Sequence, residues 1–459
     1  MNDADYFDIW LERFGGWTLI TLFCAIPVIF MLFIPDFWGV GWYGTASGIG
    51  KIAGVIGFIL YAINMLLSVR RRWLERFFNG LNRVYIAHHL TGGIALILLA
   101  FHPVFLAVRY IELSSLATIK MAAEALLPRG ITFNENFRVV QQQVAVNNGF
   151  IAFTGMVTLL VLTFFIKLPY RVWLFTHKFL GPAFFFASMH VLFISSDVSR
   201  SPFLKGYMIF WAIIGLGAFT YRTLFGNIFV RRYPFQVNKV EKLPKGVVAI
   251  DLKAVEDRMP FKAGQFVFVR FLWQKHKGIL PEVHPFSIAS NPSEGVLRLV
   301  VKSLGDHTKS MLELPVGTVA EVEGAFGKFN YQRFANAEQI WVAGGIGITP
   351  FLSMASTLDN NSPAITLFYS VVAKDELIGD KVFASINPAK TSSFKYVPFV
   401  TDETKKFIDA DFLEKNSGSL AGKEIFLCGP PPMMKSLRKQ LKAKGVKSIN
   451  IHSEEFTMS

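Results

Sequence analysis

Residues 85–108 read YIAHHLTGGIALILLAFHPVFLAV. The run contains no Asp, Glu, Lys or Arg. At ~1.5 Å per residue it is long enough to cross the ~30 Å hydrocarbon core of a bilayer as a helix. It also carries His88, His89 and His102. Ionisable side chains at membrane depth are costly and mark function. Fourteen helical steps leave His88 and His102 about 40° apart, on one face, with a rise of about 21 Å. His89 is thirteen steps from His102 and falls off that face, so His88 is the expected partner and His89 a neighbouring packing residue.

Five more apolar stretches lie in the first half, at roughly 17–34, 49–69, 149–166, 174–194 and 206–224. Six in succession predict an all-α six-helix transmembrane bundle over 1–226. The chain of 459 residues is 52% hydrophobic and only 17% charged, which excludes a disordered or solvating chain. Its formal net charge is +14. Basic residues of the connections account for much of this: Arg70, Arg71, Arg72, Arg76 and Arg83 follow the second stretch, Lys167, Arg171 and Lys178 the fourth, and Arg222, Arg231 and Arg232 the sixth. Basic loops stay inside, so these connections are expected to be cytoplasmic, with both termini on that side. The surplus is therefore topological, and no nucleic-acid partner is expected. The connections at 36–48 and 109–147 fall outside; the latter carries Arg109, Arg129 and Arg138 among acids and reads as a solvated loop. The N-terminus, with Asp3, Asp5, Asp8 and Glu12, is acidic where a cleavable leader would be basic. Two cysteines, Cys24 and Cys428, exclude a disulfide framework, a thiolate zinc site and a cysteine-ligated iron–sulfur cluster.

The stretch 174–194 repeats the histidine pattern. His177 and His190 are thirteen residues apart, a rise of about 20 Å. Two helices thus carry two imidazoles each at matching depths. This suits two stacked bis-histidine haem irons, His88 with His177 inside and His102 with His190 outside. On an ideal helix His190 would sit about 140° from the face of His177. Gly181 and Pro182 lie between them, and a kink there is expected to bring the faces together.

Beyond about residue 227 the pattern changes. Segments 247–252, 265–271, 297–302 and 319–323 alternate and are separated by Gly, Pro and Asn, as antiparallel strands would be. From about 337 strand and helix alternate: strands at 339–343, 364–371 and 424–428, helices at 349–358 and 433–444. That predicts a parallel α/β unit. The domains drawn are 1–226, 227–335 and 336–459. No internal repeat is evident.

Residues 341–350, WVAGGIGITP, run from strand into helix. Gly344, Gly345 and Gly347 let backbone amides approach a pyrophosphate at a helix N-terminus, with Thr349 as N-cap and Pro350 in the first turn. Residues 428–433, CGPPPM, open another helix after a strand, with Cys428, Gly429 and Pro430 placed to floor a nicotinamide site. Upstream, residues 284–290 read HPFSIAS and residues 302–308 read KSLGDHT. Phe286 offers an aromatic face, Ser287 a hydroxyl, and Gly305, Asp306 and Thr308 a helix start suited to a second phosphate pair.

In that order these motifs resemble the ferredoxin–NADP reductase family over about 233–459. Joined to a six-span bis-haem domain, the whole chain resembles the ferric reductase and NADPH oxidase superfamily in a compact, bacterial-type version. The resemblance implies an antiparallel β-barrel FAD domain and a Rossmann-like NAD(P)H domain. It implies FAD at His284, Pro285, Phe286, Ser287, Lys302, Gly305 and Thr308. It implies NADPH or NADH at Gly344, Gly345, Gly347, Thr349, Pro350, Cys428, Gly429 and Pro430, with Ser370 and Lys374 beside the ribose. Phe456 resembles the aromatic near the terminus that shields the flavin ring, and with Cys428 it stands at the hydride-transfer site. Where soluble reductases begin the flavin motif with Arg, this chain has His284, as in the oxidase branch. No EF-hand loop is present, so direct calcium control is not expected.

The implied activity is electron transfer from cytoplasmic NAD(P)H through FAD and two b-type haems to an outer acceptor, dioxygen or a ferric chelate. The implied location is the plasma (bacterial inner) membrane, in contact with lipid. Two alternatives remain open: a cytochrome b-type subunit that supplies electrons to a partner reductase, and a haem-free, membrane-tethered flavin reductase.

Overall fold

The structure is a computed structural model that describes residues 10–35, 37–108, 116–132, 135–273, 282–334, 337–384, 386 and 394–454. It forms two compact units, Met1–Val230 and Arg231–Ser459. The short helix Gly226–Phe229 stays with the first unit, because Tyr221 stacks on Phe229 at 5.9 Å and bonds its carbonyl at 3.3 Å.

The first unit contains helices and no strand among its described residues. In chain order come α1 (Leu11–Leu32), α2 (Gly41–Leu67), α3 (Arg72–Phe78), α4 (Leu81–Val108), α5 (Leu116–Ala125), α6 (Phe137–Phe164), α7 (Tyr170–Lys178), α8 (Leu180–Phe193) and α9 (Pro202–Leu224). Five of them, α1, α2, α4, α6 and α9, are long and apolar enough to cross a membrane. The predicted span at 174–194 is not one such helix. Its hydrogen bonding breaks at Phe179 (φ −70°, ψ −9°), which separates α7 from α8. The cause is Pro182, which has no N–H for the carbonyl of Lys178 and whose ring would clash with it. The chain therefore ends one helix at Lys178 and restarts at Leu180, with Pro182 in the new first turn, where a proline costs little. Two predicted loops also shorten. Residues 41–48 already belong to α2, and α6 begins at Phe137, where Asn136 caps it by accepting from the Arg138 amide. Asn147 and Gln143, one turn apart on α6, bind Arg129 and Thr132 and so tie the preceding loop to this helix.

Helix α2 is the centre of the bundle. Two-thirds of its most apolar window is buried (67%), against 17–33% for the other four long helices. Small residues let neighbours come close, as is usual where lipid and protein are equally apolar. A Cβ on Gly57 would lie 2.7 Å from Leu99 of α4, and one on Gly50 would lie 3.1 Å from Phe105. Phe184 of α8 is fully buried, stacks on Phe58 at 5.1 Å, meets Tyr61 edge-on at 5.0 Å and covers Gly215 of α9. Tyr61 also donates to the Leu180 carbonyl at 2.7 Å, which pins the restart of α8 to α2.

The second unit contains two sheets. Strands β1 (Tyr233–Leu243), β2 (Val247–Ala254), β3 (Phe266–Phe271), β4 (His284–Ser287), β5 (Val296–Lys302) and β6 (Val319–Phe326) form an antiparallel sheet in the order β4-β3-β6-β1-β2-β5. The outer strands approach at a single bridge, Ile288 to Leu299, supported by the Ala289 amide on the Arg298 carbonyl at 2.8 Å. The sheet thus curls towards a barrel without a full closing ladder. Val237, Val248, Ile250, Val267 and Leu299 fill its interior.

Strands β7 (Gln339–Gly344), β8 (Ile365–Val371), β9 (Phe394–Val400), β10 (Glu424–Cys428) and β11 (Ile451–Glu454) form a parallel sheet ordered β11-β10-β7-β8-β9. Every residue of β7 is buried: Trp341 and Ala343 face one core, Ile340 and Val342 the other. A strand covered on both faces reads as a continuous apolar run. The chain starts at β7, builds β8 and β9 on one side, then crosses to β10 and β11 on the other. That reversal creates a crevice at the carboxyl ends of β7 and β10, where such sheets bind ligands. The two sheets are joined by Ser353 donating to the Ser290 carbonyl at 2.6 Å and Asn291 donating to that of Ser356 at 2.6 Å.

Replacing Phe184 with Ala should remove the contact shared by α2, α8 and α9. We expect a loss of about 3 kcal/mol, seen as a lower midpoint for thermal unfolding in detergent, with Phe184→Leu closer to the parent.

Candidate functional site

In the helical unit two imidazole pairs face each other. The ring centroids of His88 and His177 are 6.2 Å apart, and those of His102 and His190 are 6.3 Å apart. A metal held by one nitrogen from each ring, at about 2 Å per bond with about 1.1 Å from nitrogen to centroid, requires about 6.2 Å. The residues present therefore fit an axially bis-histidine iron at both levels. The break at Phe179 supplies the rotation that a straight helix would lack. His89 is exposed, lies 5.8 Å from His88 and stands outside both pairs.

What fixes the rings is backbone. His88 Nδ1 lies 3.1 Å from the Asn64 carbonyl, His102 Nδ1 2.7 Å from that of Gly50, and His190 Nδ1 2.8 Å from that of Ala145. A carbonyl only accepts, so each of these rings carries its proton on Nδ1 and keeps Nε2 as a ligand atom. His177 differs. Its Nδ1 is buried with no hydrogen-bond partner among the described residues, and its ring stacks on Trp173 at 5.2 Å. Asn64 acts twice, since its side chain also donates to the His88 carbonyl at 2.5 Å and to Thr91 at 3.3 Å. The sequence reading missed Asn64, and no spacing signal marks it. It also missed the small-residue rows of Gly50, Gly54 and Gly57 on α2 and of Ala145, Gly149 and Ala152 on α6; their shared spacing was the available signal.

In the second unit β4 carries His284, Pro285, Phe286 and Ser287, all half-buried. Lys302 ends β5, and Gly305 precedes the short helix α10 (Asp306–Ser310). His284 stacks on His307 of α10 at 3.9 Å and bonds Glu282 at 3.0 Å, which brings the two segments into one cluster. Glu282 and His307 were not anticipated. The Thr308 hydroxyl is used locally: it accepts from the Leu304 and Gly305 amides at 2.9 and 3.0 Å, so those two amides do not point outward to a phosphate. Lys302 lies 3.5 Å from Glu376, on the turn that also holds Lys374.

The crevice of the parallel sheet gathers the rest. Register places Gly344 beside Ser370 and Ala343 beside Cys428. The Gly345–Ile348 turn leads into α11 (Thr349–Ala355), with Pro350 in its first turn. Thr349 is not the N-cap expected. It is already helical, and its hydroxyl donates back to the Ile346 carbonyl at 2.6 Å, holding the turn. Opposite, Pro430 leads into helix α12 (Pro431–Ala443). The two turns interlock. A Cβ on Gly347 would strike the Cys428 carbonyl, and one on Gly344 would lie 2.7 Å from Met433 and 2.8 Å from Pro430. Gly345, at φ +53°, has open space on its Cβ side. Cys428 is buried, and burial followed by the nearby Glu454 carboxylate pushes its thiol up, so it stays protonated. Ser370 is half-buried at the end of β8 and Lys374 is exposed. Phe456 lies outside the described residues.

A family model described as "Ferric reductase like transmembrane component" matches residues 53–188. One described as "FAD-binding domain" matches 232–327, and one described as "Oxidoreductase NAD-binding domain" matches 341–439. Among curated proteins the chain is similar to the 2-halobenzoate 1,2-dioxygenase electron transfer component of Burkholderia cepacia, 28% identical over 38% of this chain and 54% of that protein. It is also similar to NADH-cytochrome b5 reductase 2 of Yarrowia lipolytica, 29% identical over 34% of this chain and 58% of that protein. The chain spans about half the length of the first curated relatives it matches. Among solved structures, flavohemoglobin from Malassezia yamatoensis with bound FAD and heme aligns with 90% of this chain and 97% of its own, at 17% identity and a TM-score of 0.49.

Two measurements check the crevice. Because its thiol is raised and buried, Cys428 in the folded chain at pH 8 should react with iodoacetamide at least tenfold more slowly than after denaturation. Gly347→Ala should raise the KM for NAD(P)H tenfold or more while FAD content stays unchanged.

Proposed function

The chain belongs to the ferric reductase and NADPH oxidase superfamily, whose transmembrane, FAD-binding and NAD-binding domains it carries in that order, and from this we propose a one-way electron path across the membrane. It is an integral membrane, NAD(P)H-dependent oxidoreductase. The proposed path runs from NAD(P)H on the cytoplasmic side, through FAD and two bis-histidine haems, to dioxygen or a ferric chelate outside. The observation that carries it is the presence of two imidazole pairs at metal-bridging separation, His88 with His177 and His102 with His190.

When bound, these groups supply all the redox chemistry: nicotinamide gives electrons as a hydride, flavin parts the pair, and haem iron carries them singly. The chain's own residues bind and orient. His88 and His177 hold the inner iron, His102 and His190 the outer one. His284, Pro285, Phe286, Ser287, Lys302, Gly305 and Thr308 would line the flavin site, and Phe456 is the residue that by resemblance would shield the ring. Gly344, Gly345 and Gly347 offer bare backbone to the dinucleotide phosphates, and Thr349 and Pro350 hold that turn. Cys428, Gly429 and Pro430 floor the nicotinamide; the neutral, buried Cys428 keeps a charge away from it. Ser370 and Lys374 stand at the adenosine ribose. The basic residues Arg70, Arg71, Arg72, Arg76 and Arg83 beside the inner pair support a cytoplasmic inner face with both termini inside, in a plasma or bacterial inner membrane.

The test uses the purified full chain with FAD and NADPH or NADH. We expect anaerobic reduction of a bis-histidine haem spectrum by the nucleotide. With air, dismutase-sensitive reduction of cytochrome c reports superoxide; ferric chelate reduction insensitive to dismutase reports the other acceptor. A haem spectrum unmoved in both His88→Ala and His190→Ala would overturn the reading.

A further inference from the structure

His102 and His190 come from different helices, yet each rests on its neighbour in the same way. His102 bonds the Gly50 carbonyl of α2, and a Cβ on Gly54, one turn further on, would come within 2.5 Å of the ring nitrogen Nδ1. His190 bonds the Ala145 carbonyl of α6, and a Cβ on Gly149, again four residues on, would come within 2.7 Å of its Nδ1. The coincidence has a simple origin. In a helix the carbonyl of residue i points at the amide of residue i+4. A side chain from outside can reach that carbonyl only by lying over residue i+4, and any Cβ there blocks it. Glycine is a poor helix former, so its presence at both positions needs a reason.

The inner pair lacks this arrangement. The carbonyl that serves His88 belongs to Asn64, and the residue four further on is Ser68, already past the end of α2. His177 has no carbonyl partner among the described residues. Elsewhere on α2 the glycines have a different neighbour: Gly57 faces the aliphatic Leu99 and serves helix packing.

We propose that Gly54 and Gly149 are positioning residues of the outer metal centre, one for each of its two imidazoles. They admit the Nδ1–H bond to the helix carbonyl, and that bond sets the ring plane and leaves Nε2 to the iron. The inference rests on reading the two pairs as haem ligands. It goes beyond that reading by assigning two residues that never touch the metal.

The test uses the full chain purified with its haem as Gly54→Ala, Gly149→Ala and, as control, Gly217→Ala, whose added Cβ meets nothing within 4 Å. Haem per chain is counted as the pyridine haemochrome, and low-temperature EPR separates the two centres. We expect each of the first two variants to lose or reshape one low-spin signal, with haem falling from two per chain towards one, while the inner signal and the control are unchanged. Added imidazole should restore the low-spin form where haem is kept. Two unaltered signals in both variants would overturn the proposal. Loss of both signals together would also overturn it, since the glycines would then serve packing alone. Parent protein with fewer than two haems would instead overturn the reading beneath it, and the haem count tells the two failures apart.

Discussion

An imidazole in an apolar bundle has two nitrogens to satisfy and only one that a metal can take. The helical unit resolves this with main chain. Three of the four paired histidines place Nδ1 on a carbonyl of a neighbouring helix, and that choice dictates much of the packing. Helix α2 supplies two of the acceptors, which explains why it is the most buried of the long helices. Helix α6 supplies the third. For either helix to come this near, its contact face has to be built from small residues. Their abundance is a geometric requirement of reaching backbone, not a sign of a loosely built membrane segment.

The parallel sheet meets a related demand in a different way. Its crevice forms where chain order reverses, and two turns from different strands must share a narrow space there. Glycines at 344, 347 and 429 let these turns interlock, with Met433 and Pro430 filling the volume that side chains would occupy. The outcome is a rigid rim with bare amides on one side and a buried, uncharged thiol below. In both units side-chain volume has been removed where backbone itself makes the contact.

Much of this could be read before any coordinates. The His88–His102 spacing is a property of helix geometry, so it survives into the folded bundle. The glycine- and proline-rich turns at 344–350 and 428–432 announce themselves because few other residues permit such turns. Other features could not be read, for physical reasons. Pro182 marks a disturbance, but the break appears at Phe179 because a proline acts on the carbonyl four residues earlier. Strand β1 carries Lys239, Glu241 and Lys242, and β9 carries Pro398, so neither shows a clean alternation; their partners in the sheet decide them. Thr349 looks like a cap, yet the preceding tight turn has already begun the helix. The stacked His284 and His307 come from separate segments that only the folded sheet brings together.

The backbone anchors of α2 and α4 also constrain chain length. His88 bonds Asn64 and His102 bonds Gly50, so two antiparallel helices are pinned at two points with the same fourteen-residue interval on each. They behave like two rulers clipped together at both ends. Inserting or deleting one residue between the clips on either helix would turn one anchor by about 100° and shift it by about 1.5 Å, so both bonds could not be kept. Apart from Gly54, the intervening residues, 51–63 on one helix and 89–101 on the other, can vary in apolar character within the limits of packing. Their number cannot vary unless both helices change together.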